Sequence, residues 1–259
     1  MWTPGNDWAP HGAHEELAGF APTDIDGAVL WLRADRGITL DTGVSAWANQ
    51  VENARHLVQA ATVSQPAIGD IAGKAAIAFD GVNDNLAGTT ASDWTLLHNG
   101  SGATLAFSIS NDDVDTNGQA INTERGNATD KGFRLFWSSA GGGNGSYQLT
   151  MGNGSGTHLV NVSAVSVTGA QFFIIRFGPT SVATRRNGAA IAGLSAAYNG
   201  SPSPDAPQAP LMIGNSVAGG GNPWLGRFRD VVMWDRVLTD DECTEELEPY
   251  LAAGVGLAA

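Results

Sequence analysis

From Ile25 onward the chain alternates short apolar runs with clusters of Gly, Asn and Ser. Runs at 28–32, 75–79, 104–109, 133–137, 147–151, 159–167, 172–177, 181–185, 211–213 and 228–234 are of strand length and end in turn residues, which predicts ten strands. No stripe of helical period separates them, so a parallel sheet with crossover helices is disfavoured. Arg186-Asn187-Gly188-Ala189 adds a hairpin signal, because Asn-Gly supplies the two positive-φ positions of a type I′ turn. One helix is predicted, late in the chain. Thr239-Asp240-Asp241-Glu242 fits a capping box, and the helix should run to about Leu247, with Pro249 ending or kinking it. Residues 1–25 are polar, broken by Pro4, Pro10 and Pro22, and show no periodicity. They read as an N-terminal arm leading into a domain of residues 26–259.

Composition narrows the choice. A chain of 259 residues fits one large sandwich or two smaller domains. Gly and Pro, at 34 and 11 residues, exceed the ~12% they contribute to an average chain, and charged residues make up 15% against a usual ~25%. That composition favours many turns and few long solvated helices. No apolar run approaches the ~18 residues of a membrane-spanning helix, so membrane insertion is not expected. A net charge of −13 opposes phosphate backbones and anionic membranes, which excludes nucleic acid as a partner. The lone Cys243 can form no internal disulfide. The first twenty residues lack the basic and apolar regions of a secretory signal, so synthesis in the cytoplasm without a signal peptide is expected. Six Asn-x-Ser/Thr matches then read as turn composition rather than glycosylation sites.

Three stretches carry a family likeness: Val29-Leu30-Trp31-Leu32-Arg33-Ala34-Asp35 followed by Val44-Ser45-Ala46-Trp47-Ala48-Asn49-Gln50; Ile77-Ala78-Phe79-Asp80-Gly81-Val82-Asn83-Asp84-Asn85-Leu86; and Gly226-Arg227-Phe228-Arg229-Asp230-Val231-Val232-Met233-Trp234, continuing through the capping box. Their order resembles that of the concanavalin A-like lectin/glucanase superfamily, specifically its laminin G-like domains of the bacterial and phage type. The paired strands ending at Asn187-Gly188 and the strand Leu211–Asn215 are similar to further family segments. The likeness spans about residues 26–258. It implies an all-β fold: a two-sheet antiparallel jelly-roll β-sandwich with one short C-terminal helix. The superfamily includes carbohydrate binders, adhesion modules and glycosidases.

Glycoside hydrolysis needs two carboxylates about 5–10 Å apart across the scissile bond. The glucanase branch presents them as Glu-x-Asp-x-(x)-Glu on one strand, and none of the eight Glu residues opens such a pattern. Glu124 with Asp130, flanking a loop, is the one alternative pair. No catalytic residue is assigned. Asp113-Val114-Asp115-Thr116-Asn117-Gly118 followed by Glu124 matches the calcium-loop pattern, but extended flanks would carry Glu124 about 20 Å away. What survives is a smaller oxygen cluster for calcium, from Asp112, Asp113, Asp115 and Asn117, against the plain reading of an Asx-rich turn. No cofactor is required by the sequence. Sugar rings stack on aromatic faces. Trp31, Trp47, Trp137 and Trp234 lie in strand patterns and read as core. Trp94 and Trp224, with Asn222, lie in polar or Gly-rich surroundings and are the candidate carbohydrate-binding residues; Trp224 serves equally as a cap on the sandwich.

The function expected from these features is a non-catalytic virion-surface or adhesion protein of a phage or phage-like particle, as a capsid decoration or a tail or fibre component, binding a cell-surface polysaccharide. Trp2 and Trp8 in the arm would dock on a capsid or tail protein, or on the domain itself. The alternatives are a polysaccharide-degrading glycosidase of the same superfamily and a structural cement protein without glycan affinity. A homo-oligomer is compatible with each, although no residue encodes it.

Overall fold

A computed structural model describes residues 19–52, 54–113, 117–124, 129–138, 145–216 and 221–258. Its strands are β1 (Ala28–Arg33), β2 (Ile38–Leu40), β3 (Val44–Trp47), β4 (Leu57–Val58), β5 (Ala67–Ile71) and β6 (Lys74–Asp80). There follow β7 (Leu86–Ala87), β8 (Ala103–Asn111), β9 (Gly118–Asn122), β10 (Lys131–Ser138), β11 (Ser146–Asn153) and β12 (His158–Val165). The chain continues with β13 (Gly169–Phe177), β14 (Ser181–Arg186), β15 (Ala189–Ala190), β16 (Ala196–Ala197), β17 (Met212–Ile213) and β18 (Leu225–Trp234). All ten expected strands form. Those that the apolar runs do not reveal are mostly of two to five residues, too short to build a period.

The strands make two nine-stranded sheets, and every recorded pairing is antiparallel. The first runs β15-β14-β13-β8-β18-β6-β5, with β1 added to β18 and β16 to β14. The second runs β12-β11-β10-β9-β17-β7-β4-β3-β2. This is the expected two-sheet sandwich. Alternation decides what lies between the layers. Phe133, Leu135 and Trp137 of β10 and Tyr147, Leu149 and Met151 of β11 face inward and are fully buried. They meet Leu105, Phe107 and Ile109 of β8 and Phe173 and Ile175 of β13 in one continuous core. Each such side chain contributes about 1.5–3 kcal/mol by leaving water.

A second core lies outside the first sheet. Trp31, Ala106, Phe172, Ile174, Val232 and Trp234 point away from the sandwich interior and are covered by Leu247, Leu251, Ala252 and Val255 of the C-terminal helix. The capping box is present: Glu242 N donates to Thr239 Oγ1 at 3.2 Å, and Thr239 N donates to Glu242 Oε2 at 2.8 Å. The helix does not stop near Leu247, however. A wide π-type stretch, Glu242–Leu247, passes into α1 (Glu248–Gly254). Pro249 falls in the first turn of α1, where its missing N–H is tolerated, and the widened stretch before it gives its ring room. Asn187 and Gly188 both adopt positive φ, 49° and 79°, as a type I′ hairpin demands. Between this hairpin and α1 lies a groove of about 240 Å³, lined by Phe172, Asn187, Pro249 and Ala252.

The expected arm ends inside the packing. Phe20 meets Tyr250 edge-on at 5.8 Å, and Ile25 is buried in the second core, its carbonyl accepting from Trp234 Nε1 at 3.3 Å. Trp2 and Trp8 lie outside the described residues. Among the described residues no helix is long and apolar enough to cross a membrane.

Candidate functional site

The two sheets treat their outer faces differently. The C-terminal helix covers the first, whereas the short 3-10 turns that touch the second sheet, Ala91–Leu97 and Ala192–Leu194, send Trp94, Leu97 and Leu194 into the core between the sheets. On the second sheet, register places outward positions side by side. Met212, Asn122, Arg134, Thr150 and Asn161 form one row across β17, β9, β10, β11 and β12. Gln119, Phe136, Gln148 and Ser163 form the next. Beyond Asn122, Glu124 leaves the end of β9 toward Gly152 of β11, where a Cβ would stand 3.0 Å from Glu124 Oε2. The bare backbone of Gly152 makes room first for the Asp130 carbonyl, on which a Cβ would fall, and then for that carboxyl.

Glu124 is fully buried. Thr150 Oγ1 donates to its Oε1 at 2.6 Å and accepts from Arg134 Nε at 3.0 Å, so a hydroxyl relays between a carboxylate and a guanidinium 4.0 Å apart. Burial pushes the Glu124 carboxyl up to about 7; the Thr150 hydrogen bond and the Arg134 charge oppose this, and Asp130 adds to it. Burial likewise lowers the Arg134 guanidinium from its ordinary value, with Glu124 and Asp130 countering. The guanidinium lies over the Phe136 ring, 4.8 Å from its centre. His158, opposite Gly152, is held below the usual imidazole range, first by burial and then by Arg134.

Several polar atoms in this region have no hydrogen-bond partner: Gln119 Nε2 and Oε1, Asn122 Oδ1 and Glu124 Oε2. Gln119 and Asn122 are also fully buried. Leaving such groups unpaired costs about 1–3 kcal/mol each, so each calls for an explanation.

The residues chosen from sequence for sugar stacking are not here. Trp94 and Trp224 are both core residues, with at most 1% of their surface exposed. Trp224 packs on Phe228 at 5.0 Å, on Trp137 at 5.6 Å and on Phe79 at 6.1 Å, and its Nε1 donates to Asn111 Oδ1 at 3.1 Å. The glycines around these tryptophans suggested open loops. Their role is the reverse: a Cβ on Gly88 would stand 2.8 Å from the Trp94 ring, and one on Gly226 would fall on the Trp224 ring. Both indoles therefore occupy space that glycine leaves, and neither offers a face to a ligand. Asn222 is half-buried and lies nearer the candidate site, its carbonyl accepting from Gln119 N at 2.9 Å.

Of the four residues proposed for calcium, Asp112, Asp113 and Asn117 are described and Asp115 is not. Asp112 is engaged by Arg227, with NH2 to Oδ2 at 3.2 Å, and by Ser110 Oγ at 3.0 Å. A carboxylate already paired with a guanidinium is a poor cation ligand. Asp113 and Asn117 have partners of their own, and Asp115 lies outside the described residues. No group of three or more His, Cys, Asp or Glu side chains suited to a metal ion occurs among the described residues. Cys243 is buried in the second core, and burial pushes its thiol up to about 11, out of the reactive range. Of the sequence candidates, then, Glu124, Asp130 and Asn222 reach this region. Gln119, Asn122, Arg134 and Thr150 carry little signal in the sequence: only β11 alternates polar Gln148 and Thr150 with apolar residues, while on β9 a bulge sets Gln119 and Asn122 three apart.

Comparison with known proteins agrees with the architecture. A laminin G-like family model of the concanavalin A-like lectin/glucanases superfamily matches residues 80–244. No curated protein sequence matches the chain. Among solved structures, the chain is similar to Trypanosoma rangeli sialidase in complex with 2,3-difluorosialic acid, with a TM-score of 0.60 and 13% identity, covering 94% of this chain and 37% of that one. It thus spans about a third of the sialidase. It is similar to the botulinum neurotoxin serotype D binding domain, with a TM-score of 0.55 and 8% identity, over 88% of this chain and 51% of that one. It is also similar to the Ruminococcus gnavus IT-sialidase CBM40, with a TM-score of 0.50 and 15% identity, over 69% of this chain and 96% of that one. At these identities the likeness is one of fold.

Proposed function

Since the chain belongs to the concanavalin A-like lectin/glucanases superfamily, we propose that it is a non-catalytic carbohydrate-binding protein whose ligand lies on the outer face of the second sheet. The observation that carries this reading is the contrast between the two outer faces. One is mostly apolar and covered by the protein's own helix, its buried atoms without a hydrogen bond being nitrogens, such as those of Trp31 and Arg229, while the other gathers Gln119, Asn122, Glu124, Arg134 and Thr150 on adjacent strands and leaves three buried oxygens unpaired there. A binding domain and a carbohydrate-binding module among the structural neighbours support it. The finer part of the proposal is a role on the surface of a virion or phage-like particle. Residues 1–25, with Trp2 and Trp8, would hold the sandwich on a capsid or tail protein; its support is an adhesion-type sandwich with a single, unpaired cysteine.

The test is a glycan array combined with a hydrolysis assay on the same glycans. Binding without turnover, weakened at least tenfold by Arg134→Ala while circular dichroism is unchanged, is the expected result. A second reading, glycoside hydrolysis, is favoured by one observation: Glu124 is held near 7, as a general acid requires, with the Asp130 carboxylate close enough to affect it. Turnover abolished by Glu124→Gln would establish that reading in place of the first. Deleting residues 1–18 tests the particle role, since unchanged copurification with a particle would remove the arm as the anchor.

A further inference from the structure

Resting on the glycan-face reading above, we infer that the ligand is an uncharged, hydroxyl-rich sugar, held by hydroxyl hydrogens donated to a row of acceptor oxygens on β9: Gln119 Oε1, Asn122 Oδ1 and Glu124 Oε2. The polarity of the unpaired atoms carries this. Asn122 Nδ2 donates to Asn215 O at 2.7 Å, which fixes the amide orientation and leaves the carbonyl oxygen as the free group. Glu124 Oε1 is taken by Thr150, which leaves Oε2. Gln119 contributes one further acceptor and the one unpaired donor of the row, whichever way its amide is turned.

A ligand that satisfies this row must bring several donors and at least one acceptor. A sugar hydroxyl is both at once. A carboxylate or sulfate brings acceptors alone, would face Glu124 and would enter a protein of net charge −13. A divalent cation would find one formally charged oxygen among the three, and no metal-holding group of His, Cys, Asp or Glu stands among the described residues. The three oxygens are themselves buried, and Arg134, Phe136 and Met212 stand beside them by register, each partly exposed. Met212 is a long, unbranched side chain that reaches new rotamers without backbone movement, so it can turn aside to admit a ring, while Arg134 keeps its bond to Thr150 and borders the ligand.

A second consequence concerns protons. Glu124 is faced by Arg134 and Asp130, with His158 across Gly152. Burial holds its carboxyl up because nothing donates to Oε2. A sugar hydroxyl donating there stabilises the charged form, so binding releases a proton near neutral pH and affinity rises with pH through about 7.

The experiment titrates the full chain with two panels of labelled oligosaccharides, one neutral (glucose-, galactose-, mannose- and xylose-based) and one terminated in uronic or sialic acids, and with calcium chloride alone. The expected result is binding confined to the neutral panel. Gln119→Met should weaken it at least tenfold with a melting temperature no lower than the parent's, and a several-fold gain in affinity from pH 6 to pH 8 should be absent in Glu124→Gln. The inference is overturned if the acidic panel binds and the neutral one does not, if calcium alone binds at these residues, or if Gln119→Met binds as the parent does. A crystal structure in which ordered water fills the row while the sugar sits elsewhere would also overturn it. Silence of both panels would instead remove the glycan reading of the face, and this inference with it.

Discussion

The two outer faces of the sandwich begin from the same geometry, alternate residues of an antiparallel sheet turned away from the core, and end differently. On the first sheet those beneath the helix are mostly apolar, Trp31, Phe172, Ile174, Val232 and Trp234 among them, and the helix lies over them. The one buried carboxylate beneath that helix, Asp230, is fully partnered: Ser108 Oγ donates at 3.2 Å, Tyr250 OH at 2.8 Å, and Arg229 Nε stands 3.3 Å away. On the second sheet the outward residues are polar, and the buried carboxyl of Glu124 keeps one oxygen without a partner. Burial raises both carboxyls from their ordinary range, but Asp230 has a donor on each oxygen and Glu124 on one only. A fold able to satisfy Asp230 could have satisfied Glu124. Where it has not, the missing partner is best sought outside the chain.

The sharpest way to break this contrast is a pair of truncations. Trp234→Ala should cost about 3–5 kcal/mol, as expected when a large aromatic leaves a cavity, because the ring is fully buried between the first sheet and the helix and donates to Ile25 O. Phe136→Ala on the outer face of the second sheet should cost less, about 1–2 kcal/mol, because that ring is only partly buried. Urea denaturation of both variants checks this. Equal losses would mean that the open face is as deeply packed as the covered one.

The next effect is a dependence on pH. In the unfolded chain Glu124 titrates near its ordinary value of 4.5, and in the fold it titrates at about 7. The folded state therefore holds the proton more tightly. Its contribution to stability is complete below about pH 4.5 and is lost as pH rises through about 7. The shift corresponds to something on the order of 3 kcal/mol as an upper bound. Glu124→Gln keeps the shape and removes the charge, so at pH 8 it should be more stable than the parent by roughly 1–3 kcal/mol, with little difference at pH 5. Melting temperatures across this range decide it. A parent whose stability does not fall between pH 5 and pH 8 would show that Glu124 is already satisfied.

The architecture was legible in the sequence because alternation and turn residues are local signals. Phe133 to Trp137 announces both a strand and its buried face, and Asn187-Gly188 announces its hairpin. Length misled where chemistry and geometry were weighed separately. Pro249 was expected to end or kink the helix, yet the wide stretch from Glu242 to Leu247 carries the chain past it to Gly254. The site was hidden for a different reason. Glycine near tryptophan reads as an exposed loop in one dimension, whereas in three dimensions Gly88 and Gly226 leave room for the rings of Trp94 and Trp224. Conversely, Gln119, Asn122, Arg134 and Thr150 are each unremarkable polar residues on strands, and only the register of three strands brings them together.

Smaller effects sharpen the comparison further. Thr239→Ala removes the hydroxyl that accepts from Glu242 N, and should cost about 1 kcal/mol, as other capping losses do, by loosening the cover on the first sheet alone. Glycan binding by the second sheet should not change. The smallest stability effect is expected from Gln119→Met, and it is the most informative. An ordinary buried glutamine loses hydrogen bonds when its amide is replaced, so the substitution destabilises. Here neither amide atom has a partner, so a thioether of similar shape forfeits no bond and removes two unsatisfied groups. Stability should stay level or rise by up to about 1 kcal/mol, while sugar binding falls. A side chain whose loss helps the fold and harms the ligand is kept for the ligand; if instead Gln119→Met lowers the denaturation midpoint and leaves binding intact, the residue belongs to the fold.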